Sequence, residues 1–367
     1  YDDRCFSGSA LIDVKNTSGF RKGTQDLLVA AYTSTGRGEC IVYSQDGGRT
    51  WSEYEGNPVV KHAGRDPKLL WYEPTQSWVM AVYDESAGKQ WIAFYSSPDL
   101  KAWTFHSRIE GFFECPDLFE LPVAGTDHER RWVLYGADGK YRLGRFDGRA
   151  FTPETEKLQV WYGNFYAAQT YSNAPDDRRV QIGWGNGIEF RGSPFNQQMV
   201  VPVELTLRAT PAGVRMFAEP VRELAQLETR PRTWSNIRLE DKVNPLADVQ
   251  IELARVTADF EPGTAEAVGL NVRGVSVRYD VQKQQITCRG VTAPLPRIDG
   301  RVRLEILVDR GSIEVFGNNG EVALSVGGLL PAADHSIRTE VTGAGAILKS
   351  LKVAELKSAW KQVPARP

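Results

Sequence analysis

Apolar and polar residues alternate along most of this chain in short runs. "SWVMAVYDE" (Ser77–Glu85) and "VLYGADGKYRLGRF" (Val133–Phe146) read as strands or hairpins, rich in Val, Tyr and Trp and punctuated by Gly and Asp. A helical period occurs only in "EPVRELAQLE" (Glu219–Glu228), where Pro220 suits a first helical turn. The pattern predicts an all-β chain with one short helical connector.

A repeat organises the first part. Asp46 in "YSQDGGRTW", Asp99 in "YSSPDLKAW" and Asp147 in "RFDGRAF" lie 53 and 48 residues apart. Pro67 and Pro116 are 49 apart, and a further 49 reaches Phe165 in "NFYAAQTY". A beat near fifty suits the four-stranded blade of a β-propeller. "SQDGGRTW" has the form of an Asp-box turn, so Asp46 is read as a carboxylate that caps backbone amides rather than as a catalytic one.

After about residue 230 the beat stops. "VRYDVQKQQITCRG", "RVRLEILVDRGSIEVFGNNGEVALSV" and "AILKSLKVAEL" alternate like antiparallel strands, with Asn318–Gly320 as a hairpin turn. The predicted organisation is a propeller over 1–218, a helical linker at 219–230 and a β-sandwich over 231–367.

Composition narrows the partners. Net charge is −2, from 44 basic and 46 acidic residues, which gives no field for nucleic acid and no polybasic membrane signal. No apolar run approaches the roughly 18–20 residues that span a bilayer. The four cysteines lack CxxC spacing and are expected to be mostly free and buried. The four histidines are scattered, and Gly183, Gly185 and Gly187 lack a strand–turn–helix setting, so neither a metal nor a cofactor is expected.

The chemistry concentrates in two openings, "RDPKLLWY" from Arg65 and "ECPDLFEL" from Glu114. In a propeller the first strand of each blade lines the channel, so Asp66 and Glu114 should meet at one mouth. A residue before proline favours extended backbone, which predicts that Asp66 and Cys115 run directly into their strands. Two converging acids suit cleavage of a glycosidic bond. Acids that merely cap turns remain the alternative on the residues alone.

Several blocks add a resemblance. "FSGSALID" from Phe6, "GRDPKLLWY", "FFECPDLFELP", "NFYAAQTYSN", "IGWGNG", "NQQMVVPVELTL" and "ILVDRGSIEVFGNNG" occur in the order found in glycoside hydrolase family 32, which the chain resembles over essentially its full length. That family includes invertases, inulinases and levanases. The resemblance implies a five-bladed β-propeller followed by a β-sandwich, and retaining release of terminal fructofuranosyl units from fructans or sucrose. It implies a secreted or periplasmic location.

By the same resemblance Glu114 is the general acid/base, in an apolar setting supplied by Phe112, Phe113 and Cys115. Asp66 is the transition-state stabiliser, kept ionised by the neighbouring Arg65. Arg65, Phe6 and Ser7 would contact substrate, and Trp184 would offer a sugar platform. Asp117 and Asn164 are weaker candidates, and the family often has an acid where Asn164 stands.

The family's nucleophile is the aspartate of a WMNDPNG-like block, and no such block occurs in these residues. Four blade starts are recognisable, at about Phe6, Asp66, Glu114 and Phe165, so most of a first blade is expected to be missing. A missing N-terminal segment or a complementing chain would then supply the nucleophile. The alternative is a non-hydrolytic fructan-binding or degenerate relative. An arabinan- or xylan-active propeller hydrolase is a further reading, opposed by "FSGS" and "DRGSIEVF".

Overall fold

The computed structural model describes residues 3–360 apart from 191, 193 and 241–243. Among the described residues it is nearly all β, and its helices are short 3-10 turns. The expected helix shrinks to one of these, Arg222–Leu227. A strand begins immediately afterwards at Glu228, leaving too few residues for a costly α-helical nucleus to propagate. Pro220 ends the strand Gly213–Pro220 instead of opening a helix.

The chain forms two compact units: Tyr1–Gln159 with Tyr166–Gln181 and Thr206–Arg215, and Val160–Phe165 with Ile182–Leu205 and Met216–Pro367. In the first unit, β1 (Cys5–Ile12), β2 (Leu28–Ser34), β3 (Gly38–Ser44) and β4 (Ser52–Glu53) make one antiparallel sheet. β5 (Gly64–Tyr72), β6 (Ser77–Asp84), β7 (Trp91–Ser97) and β8 (Thr104–Glu110) make the next. β9 (Asp117–Ala124), β10 (Arg130–Tyr135), β11 (Lys140–Phe146) and β12 (Phe151–Pro153) repeat the plan, with β13 (Leu158–Gln159) also on β11.

Packing explains why β6 reads as an almost unbroken apolar run. Trp78, Met80 and Val82 pack with Leu11, Val29 and Ile41 of the first sheet. Val79, Ala81 and Tyr83 pack with Phe112, Leu118, Leu134 and Phe146 beside the third. Each face of the middle sheet is covered by a neighbour, so alternation loses its polar half.

The turn at Asp46 bears out its structural reading, and equivalent turns form at Asp99 and Asp147. Asp46 Oδ1 accepts from the amides of Arg49 and Thr50 at 3.0 and 2.9 Å. Asp99 accepts from Lys101 and Ala102, both at 2.9 Å, and Asp147 from Arg149 and Ala150 at 2.9 and 2.8 Å. The Thr50 amide leads the bonds that hold the Asp46 carboxyl far below its usual range.

First strands of successive sheets are stapled side by side. Ser9 Oγ donates to the Pro67 carbonyl at 2.9 Å and accepts from the Leu69 amide at 2.8 Å, joining β1 to β5. After β14 (Trp161–Gly163) comes β15 (Tyr166–Thr170), whose Thr170 amide donates to Asp117 Oδ2 at 2.6 Å. Buried Lys68 reaches Asp117 at 3.1 Å and the Thr170 carbonyl at 2.9 Å. Burial lowers the Lys68 pKa, and the Asp117 charge opposes that shift. Asp117 is thus a structural counter-ion.

The second unit holds a seven-stranded and a five-stranded sheet around one apolar core that includes Val256, Phe260, Leu270, Tyr279, Ile306 and Leu351. β14 pairs in parallel with Val322–Gly327 at an edge of the larger sheet. The hairpin turn falls at Asn318, Asn319 and Gly320, all with positive φ. A Cβ on Gly320 would meet the Ala218 carbonyl oxygen at 2.2 Å, so this close approach demands glycine. Cys40, Cys115 and Cys288 are free and buried, whereas Cys5 is free and exposed.

Candidate active site

The openings of β5 and β9 do not run straight into their strands. Asp66 has φ of 67°, Glu114 51° and Cys115 42°, all left-handed rather than extended. Pairing of β5 with β6 also slips between Arg65 and Lys68. A bulge overrides the local preference set by proline, because tertiary bonds hold the strained residues. The Asp66 amide donates to Thr33 Oγ1 at 2.9 Å, and the Cys115 amide donates to Asp66 Oδ2 at 3.1 Å. The second bond brings the residue after Glu114 against the Asp66 carboxylate.

Arg65 does not serve Asp66 in the expected way. Its Nε donates to Glu114 Oε1 at 2.8 Å, its Nη2 lies 2.7 Å from the same oxygen, and its Nη1 donates to Glu85 at 2.7 Å. The guanidinium lies 4.8 Å from the Tyr83 ring centre and 5.6 Å from that of Phe113. Those rings fix its plane at modest energetic gain.

Glu114 is therefore held by polar partners in addition to the apolar neighbours expected of it. The Tyr166 hydroxyl donates to its Oε2 at 2.7 Å, opposite Arg65. Phe112 is buried in the core between sheets, while Phe113 packs on Tyr83. Burial raises the Tyr166 pKa, and the bond to Glu114 raises it further, so the phenol remains a proton-bearing donor at neutral pH.

Asp66 is 6% exposed. Burial is the largest influence on its carboxyl and raises its pKa, against the bonds from Cys115; Arg65 has a smaller, opposing effect. Cys115 Sγ lies 3.5 Å from Asp66 Oδ2, and burial pushes this thiol up well beyond its usual range.

A cavity of about 280 Å³ lies beside Arg65, bounded by Phe6, His62 and the hairpin from Thr33 to Gly38. Phe6 is 45% exposed at this cavity. Ser7 is exposed where the β1–β2 register shifts between Phe6 and Gly8. Trp184 belongs to the second unit, is 38% exposed and pairs with Met199. Asn164, also in that unit, donates to the Asn186 carbonyl at 2.7 Å and accepts from the Gly327 amide at 2.9 Å, which is a structural clamp. Tyr166 and Thr33 were not singled out from the sequence. The phenol lies inside the quoted "NFYAAQTY" block, whereas Thr33 carries no motif.

Paired carboxylates, an arginine clamp and a phenol at the ends of adjacent strands are a constellation suited to glycoside hydrolysis. Residues 1–220 match the model of the glycosyl hydrolases family 32 N-terminal domain, and residues 223–354 match that of the family 32 C terminal. The chain belongs to glycosyl hydrolase family 32.

It is similar to a levanase of Bacillus subtilis (strain 168), with 35% identity over 417 aligned positions covering 98% of this chain and 61% of that protein. A levanase of Bacillus sp. (strain L7) is 30% identical, covering 98% and 46%. The chain thus spans about three fifths and under half of these relatives. The crystal structure of exo-inulinase from Aspergillus awamori superposes with a TM-score of 0.85 at 26% identity, covering 98% of this chain and 85% of that one.

Proposed function

We propose that the protein releases terminal β-D-fructofuranosyl units from fructans or sucrose by a retaining double displacement, with Glu114 as general acid/base and Asp66 as transition-state stabiliser. The observation that carries this reading is the junction of the two openings: Cys115 bonds Asp66 while Arg65 and Tyr166 grip Glu114. Family membership and the levanase and exo-inulinase relatives support the fructoside substrate. We further propose that the sheets of the first unit are blades of a five-bladed propeller, and that residues 231–367 form a β-sandwich.

In the first step a nucleophilic carboxylate attacks the anomeric carbon. The glycosidic C–O bond breaks, and the leaving oxygen takes its electron pair together with a proton from Glu114. In the second step Glu114 removes a proton from water, which displaces the carboxylate and frees fructose with configuration retained. Asp66 accepts hydrogen bonds from ring hydroxyls that strengthen as positive charge develops. Arg65, Phe6 and Ser7 line the fructosyl subsite.

By resemblance the nucleophile is the aspartate of the WMNDPNG-like block, which these 367 residues do not contain. The test is fructose release from levan, inulin and sucrose by this chain, with and without a segment supplying that block. Release is expected with the segment and not without it. No fructose release in either case, or release of arabinose from an arabinan assayed in parallel, refutes the proposal.

A further inference from the structure

We infer that Thr33, Glu39 and His62 form a buried positioning device that holds Asp66 in its active conformation. The inference takes the role of Asp66 from the fructosidase reading above, but how Asp66 is held is independent of that role.

The chain of contacts is continuous. Thr33 and Glu39 face each other across β2 and β3. Thr33 Oγ1 donates to Glu39 Oε2 at 2.8 Å. Its hydrogen is committed to the carboxylate, so an oxygen lone pair remains for the Asp66 amide at 2.9 Å. The second oxygen of Glu39 accepts from His62 Nε2 at 2.7 Å. Glu39 is 0%, Thr33 3% and Asp66 6% exposed. The His62 side chain is 6% exposed.

Two features set this chain apart from ordinary core pairing. A buried polar pair is weak evidence for stability, since apolar residues of similar size commonly serve as well, and such pairs are best explained where they specify a geometry. The geometry here is specific: the chain ends on the amide of a non-glycine residue at φ 67°, immediately before proline. The amide of Asp66 is held from the first sheet by Thr33, and its carboxylate is held from the β9 opening by Cys115. Neither grip alone fixes both backbone and side chain.

The supports of Glu39 are themselves anchored. Its amide donates to the Val60 carbonyl at 2.8 Å, and the Val59 amide donates to its carbonyl at 2.8 Å. This places the segment leading to His62 alongside β3. At Gly64 a Cβ would lie 2.7 Å from His62 Cε1 and 1.9 Å from the Tyr83 carbonyl oxygen, so only glycine lets the chain pass between them to Arg65 and Asp66.

Thr33→Val removes the hydroxyl with little change of volume, and Thr33→Ser restores it. Native-state hydrogen exchange at the Asp66 amide should be at least about tenfold faster in Thr33→Val than in wild type or Thr33→Ser. Fructose titration should show a Kd about tenfold weaker in Thr33→Val and within about twofold of wild type in Thr33→Ser. Equal protection of the Asp66 amide in all three proteins, or wild-type fructose affinity in Thr33→Val, overturns the inference. Failure of wild type to bind fructose even with the nucleophile-bearing segment supplied, with the exchange result as expected, instead refutes the fructosidase reading and supports the positioning device. If Thr33→Val does not fold, Glu39→Gln takes its place, and unchanged Asp66 protection there overturns the inference.

Discussion

The backbone amide of Cys115 donates to Oδ2 of Asp66 at 3.1 Å, tying the residue beside Glu114 to the carboxylate of the preceding sheet. Burial raises the Asp66 pKa above its ordinary 3.8, so the folded state retains this proton more strongly than the unfolded chain. The stability that goes with it is fully present below pH 3.8 and is lost as pH rises. Asp66→Asn keeps an acceptor for Cys115 and removes the titration. It should raise the melting temperature at pH 7, with the gain vanishing at low pH. Assayed with the nucleophile-bearing segment supplied, its kcat should fall about 10²–10³-fold, as when one transition-state contact is lost. Thermal scans across pH and steady-state kinetics check the two halves.

With the nucleophile-bearing segment supplied, Glu114→Gln should lower kcat by about 10²–10⁴-fold, since an amide neither gives nor takes the proton. The amide oxygen of the variant side chain can still accept from Arg65, and its NH2 can donate to the Tyr166 hydroxyl oxygen, so fructose affinity measured by titration should stay within about threefold of wild type.

Tyr166→Phe removes the hydroxyl that donates to Glu114 at 2.7 Å. A hydrogen bond to a carboxylate is worth roughly 1.5–3 kcal/mol, which predicts about a ten- to hundredfold loss of kcat/KM when the nucleophile-bearing segment is supplied. A melting temperature close to wild type would show that the loss belongs to the site.

The larger pH effect lies in the second unit. Glu314 is 2% exposed, accepts from the Val201 amide at 3.0 and 3.1 Å, and burial pushes its carboxyl up to about 8 from 4.5. Its contribution is complete below pH 4.5 and is lost between there and about pH 8. Glu314→Gln should flatten that decline, gaining on the order of a few kcal/mol over wild type above pH 8. Urea midpoints from pH 4 to 9 measure it.

The sequence repeat told which residues share a rim but not which side chains they choose as partners. Asp66 and Glu114 were legible because a 49-residue offset carries one opening onto the next. The turns at Asp46, Asp99 and Asp147 were legible because their bonds are local. Arg65 looked like the counter-ion of Asp66 only because the two adjoin in sequence. Its side chain instead crosses to Glu114, 49 residues on. The left-handed backbone at Asp66 and Cys115 was illegible for a related reason: a preference of the single residue yielded to bonds from Thr33 and Cys115 that no short window contains.

The parallel strand at the margin of the larger sheet limits how this chain can be divided. A cut after residue 220 separates Trp161–Gly163 from Val322–Gly327, to which those residues are paired. The C-terminal fragment would then present unsatisfied main-chain groups along one side, a template for fibre-like self-association. Expression of that fragment by itself should yield aggregates, and adding back a peptide spanning 160–165 should restore solubility.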